Sequence, residues 1–172
     1  MPEIRKAAVQ WKGIPTDVVG PALKPGDTAP SDFVVTATDM KSLQGSQLAG
    51  TPRILCTVAS LDTSVCDSEM KRFNQEVAGI PGVKVYVVSL DLPFAQKRWC
   101  GATGSDRIEA LSDFKERSFG PAYGVFAPIK GLLVRAVFVI GKDDKLRHVE
   151  YVKEVTTEPD YAAALQAAKN AV

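Results

Sequence analysis

The segment Arg53–Ser60 (RILCTVAS) is a mostly apolar run, as expected of a strand buried on both faces of a sheet, and an amphipathic helix follows it directly. That helix is read from Cys66, Met70, Phe73 and Val77, which fall at i, i+4, i+7 and i+11 and form one stripe ending near Gly79. Thr63 and Ser64 are natural N-caps for it, and Asp67 lies three residues after Ser64. A second strand, Val83–Ser89 (VKVYVVS), comes next.

The other elements are arranged around this unit. Ala7–Trp11, the turn residues Lys12-Gly13-Ile14-Pro15 and Thr16–Val19 read as an N-terminal β-hairpin. Pro21, Pro25, Gly26 and Pro30 make the next stretch a connector, not a second domain. Phe33–Ala37 is expected to be a short strand, and Phe94–Cys100 to make about two helical turns before Gly101. Ile108–Leu111 reads as a short strand and Asp113–Tyr123 as a short helix broken at Gly120-Pro121. Leu132–Ile140 (LLVRAVFVI) is expected to be one buried strand carrying a single charge, Arg135. Gly141–Lys145 is a turn leading to Arg147–Val152, and Thr157-Glu158-Pro159-Asp160 opens a last helix with the stripe Tyr161, Leu165, Ala168 and Val172. The order is a hairpin, then β-α-β-α with extra elements, then β-β-α. It predicts an α/β fold, a mixed central sheet with helices on both faces. At 172 residues and with no internal repeat, residues 1–172 are expected to form one domain.

Composition narrows the partners. The 21 basic and 20 acidic residues leave a net charge of +1, too little field to attract nucleic acid or an anionic membrane. Met1–Lys12 lacks the apolar run of a signal peptide, and no stretch approaches the roughly 20 apolar residues of a membrane span, so a cytoplasmic address is expected. The three cysteines, Cys56, Cys66 and Cys100, are too few for a disulfide framework. Each is a small buried hydrophobe or a working thiol. Cys56, inside the first apolar strand, reads as a packing residue. There is no C-x-x-C and no close ligand pair for zinc. The Gly101–Gly104 loop lacks a phosphate-binding pattern, and nothing places the single histidine, His148, near Cys66. No cofactor and no metal are expected.

Cys66 is the candidate for chemistry. It falls in the first turn of a helix, where unpaired backbone N–H groups and the helix dipole favour an anion. The dipole supplies about 0.3–1 kcal/mol. Bringing a thiol from about 8.5 to about 6 takes roughly 3.4 kcal/mol, so a further cation is needed. Arg135 is the cation in an odd place. Within an apolar strand it either faces outward from an edge or is buried and met by an anion.

Leu61-Asp62-Thr63-Ser64-Val65-Cys66 resembles the T-x-x-C signature of peroxiredoxins. Asp91-Leu92-Pro93-Phe94-Ala95-Gln96 running to Trp99-Cys100-Gly101, Arg135–Ile140 and Thr156–Tyr161 resemble the bacterial thiol peroxidase branch, the atypical two-cysteine type. The resemblance runs from the first hairpin to the last helix. It implies a thioredoxin-like fold with an added N-terminal hairpin, usually homodimeric. It also implies a peroxidase acting on hydrogen peroxide and organic hydroperoxides. Cys66 would be the peroxidatic cysteine and Cys100 the resolving one, with Thr63 and Arg135 holding thiolate and peroxide, and thioredoxin would reduce the resulting disulfide. One residue departs from the motif: Ala59 stands where the family has proline, which removes a stiffener of the cysteine loop. A peroxide sensor passing oxidation to a partner protein, and a thioredoxin-fold binding module, are the alternative readings.

Overall fold

A computed structural model describes residues Met1–Val172. Strand β1 (Ile4–Trp11) turns through Lys12 and Gly13 into β2 (Ile14–Val19), making the expected hairpin. Both turn residues have positive φ, 53° and 77°, the backbone twist that a two-residue hairpin loop requires. After the proline-rich connector come β3 (Val34–Ala37), β4 (Ser42–Gln44) and β5 (Arg53–Thr57). Helix α1 (Ser64–Glu76) leads to β6 (Lys84–Ser89), then α2 (Pro93–Thr103), β7 (Ile108–Ser112) and α3 (Phe119–Tyr123). The chain ends with β8 (Phe126–Ala127), β9 (Leu132–Leu133), β10 (Ala136–Ile140), β11 (Leu146–Tyr151) and α4 (Tyr161–Lys169).

Seven strands form the central sheet in the order β11-β10-β5-β6-β7-β3-β4, and β1-β2-β8-β9 form a second, smaller sheet. β5, β6 and β7 are parallel, while β10 and β3 join them antiparallel. This is the mixed sheet expected from the sequence. Every residue of β5 is buried, and alternate side chains serve two separate cores. Ile54 and Cys56 pack with Met70 and Phe73 of α1, Trp99 of α2 and Leu165 of α4. Leu55 packs on the other side with Phe119, Tyr123 and Phe138. A sheet covered on both faces needs such continuous apolar strands, because each inward side chain gains roughly 1.5–3 kcal/mol from burial.

Four local expectations are corrected. α2 does not stop at Cys100; it runs through Gly101 and ends where Gly104 takes the left-handed conformation, φ 64°. α3 is not broken at Gly120-Pro121 but contains both residues. The buried Asp113 carboxylate accepts the N–H groups of Phe119 and Gly120, and Pro121 falls in the first turn, where a missing N–H costs no helical bond. The run Leu132–Ile140 is two strands, because Val134 and Arg135 carry the chain from the small sheet to the central one. The stripe of α4 ends at Ala168, since the helix stops at Lys169 and Val172 is exposed.

A glycine lets the end of α3 approach the connector closely. Gly124, at the end of α3 with φ 65°, lies so close to the connector that a Cβ there would sit 1.9 Å from the Pro21 carbonyl oxygen. Gly13 also has positive φ, but a Cβ on it would meet nothing within 4 Å. Gly13→Ala should therefore cost about 1 kcal/mol, from conformation alone. Gly124→Ala should cost at least about 3 kcal/mol, because backbone must move. Urea denaturation of the two variants checks the difference.

Candidate active site

β5 and β10 are antiparallel neighbours, so the end of one lies beside the start of the other, with Thr57 opposite Ala136. Cys66 follows the end of β5 and Arg135 precedes β10. The register thus brings together two residues far apart in sequence.

The loop between β5 and α1 is pinned by Asp91. Its carboxylate accepts the Ser60 hydroxyl at 2.6 Å and the Leu61 N–H at 2.8 Å. These bonds brace the loop at the point where Ala59 replaces a stiffening proline. Thr63 occupies the N-cap position of α1, but its side chain makes no capping bond. The hydroxyl donates instead to the Ser60 carbonyl at 2.9 Å, and Thr63 is exposed. Cys66 is the third residue of α1, so its N–H belongs to the first-turn set that lacks helical partners.

The Arg135 guanidinium divides its donors three ways. Nη2 donates to Cys66 Sγ at 3.2 Å, Nη1 pairs with a Glu69 carboxylate oxygen, and Nε donates to the Val155 carbonyl at 3.0 Å. Arg135 is 2% exposed, and Cys66 and Glu69 are fully buried. Arg135 is therefore the buried, anion-met arginine of the two sequence alternatives. Burial works against its charge, but Glu69 and Cys66 outweigh that and raise its pKa further. Glu69 is pushed up to about 7, chiefly by burial and against the pull of Arg135, and its second oxygen has no hydrogen-bond partner. One cation thus serves two acidic groups one turn apart on α1.

Arg135 also borders a cavity of about 400 Å³, lined with it by Trp11, Ala59, Thr63, Val65 and Val155. Trp11 comes from the hairpin. The hairpin turn is clamped by Glu154, which accepts the Lys12 and Gly13 N–H groups at 2.9 Å each. These backbone bonds hold the Glu154 carboxyl down at about 2. The neighbouring Val155 both holds Arg135 and lines the cavity.

The structure does not bring Cys100 into this cluster. It is half-buried on α2 and opens on a different cavity of about 630 Å³, which shares no lining residue with the first. Burial raises its pKa. All three cysteines are unbonded. Cys56 is fully buried, and burial followed by the Glu69 charge pushes its thiol up, as suits a packing residue. His148 lies on β11 against Glu150, 3.9 Å away. Sequence reasoning missed Glu69. Its signal was available: a carboxylate three residues after Cys66, inside an apolar stripe, with Arg135 the charge left without a partner.

The sheet order, the buried first-turn cysteine and its arginine define a redox-type member of the thioredoxin-like folds. The family model for Redoxin matches residues 24–165, and the chain belongs to that family. It is 46% identical over 166 residues to a thiol peroxidase of Halalkalibacterium halodurans, covering 96% of this chain and 99% of that one. A thiol peroxidase of Bacillus subtilis is 44% identical, with 95% and 97% covered. Among solved structures, a peroxiredoxin-like protein from Aquifex aeolicus superposes with a TM-score of 0.88 at 41% identity, covering 97% of this chain and 99% of that one. Membership makes the chain an oxidoreductase of the peroxiredoxin type. No helix is long and apolar enough to cross a membrane.

Glu69 links the site to stability. The folded chain holds its proton more tightly than the unfolded chain, so between about pH 4.5 and 7 the folded state binds more protons and loses stability as pH rises. Glu69→Gln removes that dependence. The stability of wild type minus that of the variant should therefore fall from about pH 5 to about pH 8 in urea titrations, whatever its absolute sign.

Proposed function

We propose that this chain reduces hydrogen peroxide and organic hydroperoxides to water and alcohols, with Cys66 as nucleophile and Cys100 as resolving thiol. The observation that carries this reading is Arg135, whose guanidinium touches Cys66 Sγ at 3.2 Å and also lines a cavity open to a small reactant. In the first step the Cys66 thiolate attacks the distal peroxide oxygen. The S–O bond forms as the O–O bond breaks, and the leaving oxygen takes a proton to depart as water or alcohol. In the second, the Cys100 thiol gives up its proton and its sulfur displaces hydroxide from the Cys66 sulfenic acid, so that a disulfide forms and proton and hydroxide leave as water. A thioredoxin-type dithiol then returns two electrons. The cytoplasm as location, a homodimer as assembly and residues 1–172 as a single domain belong to the same proposal.

Magnitudes assign Arg135 its role. An ordinary thiol is already a few per cent thiolate at pH 7, so complete ionisation gains only about thirtyfold. Enzymes commonly reach about 10⁶-fold or more. The remainder must come from stabilising the charge that develops on the leaving oxygen, a task suited to a buried cation at the cavity wall. Thr63 lines the same cavity. In the resting state its hydroxyl is held by Ser60, so its proposed contact with peroxide requires that bond to be exchanged.

Turnover in a coupled assay with thioredoxin, its reductase, NADPH and several hydroperoxides tests the whole reading. Cys66→Ser should reduce it to below about 1% of wild type, since a hydroxyl is not ionised at neutral pH. Cys100→Ser should consume one equivalent of peroxide, stop cycling, and accumulate Cys66 sulfinic acid by mass spectrometry under excess peroxide. Arg135→Met should slow attack by about 100-fold or more. Rapid-mixing rates should stay low at the high-pH plateau, where ionisation no longer limits; full recovery there would remove the transition-state role.

A further inference from the structure

Trp99 Nε1 donates a hydrogen bond to Asp67 Oδ1 at 2.8 Å. The pair joins α2 to α1, and each member is the immediate neighbour of one proposed redox cysteine: Asp67 follows Cys66, and Trp99 precedes Cys100. Successive residues on an α-helix point roughly 100° apart around its axis. While residues 67 and 99 face each other, residues 66 and 100 are therefore turned away from that line of contact. The two cysteines are indeed unbonded, and Cys100 opens on a separate cavity. The 67–99 contact therefore works against the 66–100 bond.

The anchoring of α2 shows which part must give way. Its first half is fixed by the buried Gln96, whose amide donates to Ser89 Oγ at 3.0 Å and to the Leu111 carbonyl at 2.9 Å. In the second half, Lys97, Arg98, Gly101 and Ala102 are exposed, and Trp99 is the buried residue. The other link on this side is the Arg98–Asp62 pair, 3.8 Å apart with both side chains largely exposed, which contributes little. The other Asp67 oxygen accepts from Lys71 Nζ at 2.7 Å, which fixes the carboxylate toward the indole. Burial opposes its ionisation, but Lys71 and the indole together hold the carboxyl below its ordinary range.

We propose that the Asp67–Trp99 hydrogen bond is a latch whose release precedes closure of the Cys66–Cys100 disulfide, making both residues positioning residues for the resolution step. The inference rests on the reading of those cysteines as the disulfide-forming pair. The latch sets a partition. Held shut, it prolongs the sulfenic acid, which a second peroxide can carry to sulfinic acid. Released, it lets the second half of α2 unwind and bring the Cys100 thiol across.

Trp99→Phe keeps an aromatic ring in the core but removes the N–H, while Asp67→Asn keeps an acceptor oxygen and Asp67→Ala removes it. Reduced protein is mixed with one equivalent of hydrogen peroxide, quenched and resolved by mass spectrometry, and sulfinic acid is titrated against peroxide dose. In Trp99→Phe and Asp67→Ala the disulfide should form about fivefold faster, equivalent to about 1 kcal/mol, and half-overoxidation should need correspondingly more peroxide. Asp67→Asn should stay near wild type. The rate of the first, peroxide-consuming step should differ less than twofold in Trp99→Phe, which separates a latch from general loosening. The chain has two tryptophans, so in a Trp11→Phe background the emission of Trp99 should shift to the red as the disulfide closes. Unchanged or slower disulfide formation in both Trp99→Phe and Asp67→Ala, with a normal wild-type disulfide, overturns the latch alone. A wild-type protein that cycles without any Cys66–Cys100 disulfide overturns the two-cysteine reading and the latch with it.

Discussion

The guanidinium of Arg135 is the interaction on which the site depends. A cation at this depth is tolerated only when its donors are matched, and here they are matched by a backbone carbonyl, a carboxylate and a sulfur. Each partner comes from a different part of the chain: Val155 from the segment after β11, Glu69 from the second turn of α1, and Cys66 from its first. The charge therefore fixes α1 against the end of the central sheet as well as serving the thiol. It also explains why Glu69 is buried. Beside Cys66, the Glu69 side chain one turn away gives the arginine a second acidic partner.

Glu69 and Cys66 share one cation, which draws the Glu69 carboxyl down against the burial that raises it. The carboxylate oxygen without a hydrogen-bond partner marks where the arrangement is least comfortable. Unsatisfied buried polar atoms are expensive, and they persist where structure serves something other than stability.

Much of this was legible in the residues. Apolar runs located β5, β6 and β10, and the Cys66-Met70-Phe73 stripe located α1, because burial on a sheet leaves a periodic trace in sequence. Cys66 and Arg135 stood out as a first-turn thiol and a charge in an apolar run. Other features were hidden because their cause is tertiary. Arg135 divides what reads as one strand, since the chain changes sheets there, and no local propensity encodes that passage. The Asp113 carboxylate delays α3 through bonds to Phe119 and Gly120 that a helix-forming pattern does not reveal. Gly101 reads as a stop but is carried within α2, whose end is set by Gly104 instead. The bracing of the cysteine loop by Asp91, thirty residues downstream, is likewise a product of the folded register.

The Redoxin match begins at residue 24, so the hairpin is an addition to the common frame. It is nevertheless wired to the centre of that frame. Glu154 grips the hairpin turn, and the next residue, Val155, donates its N–H to the Gln10 carbonyl at 2.9 Å while its own carbonyl holds the arginine. Divergence in an appendage usually leaves the parent chemistry alone. In this protein the tip of the hairpin is joined to the guanidinium through two consecutive residues, Glu154 and Val155. Descendants of such a chain can adjust reactivity while every reacting group stays the same.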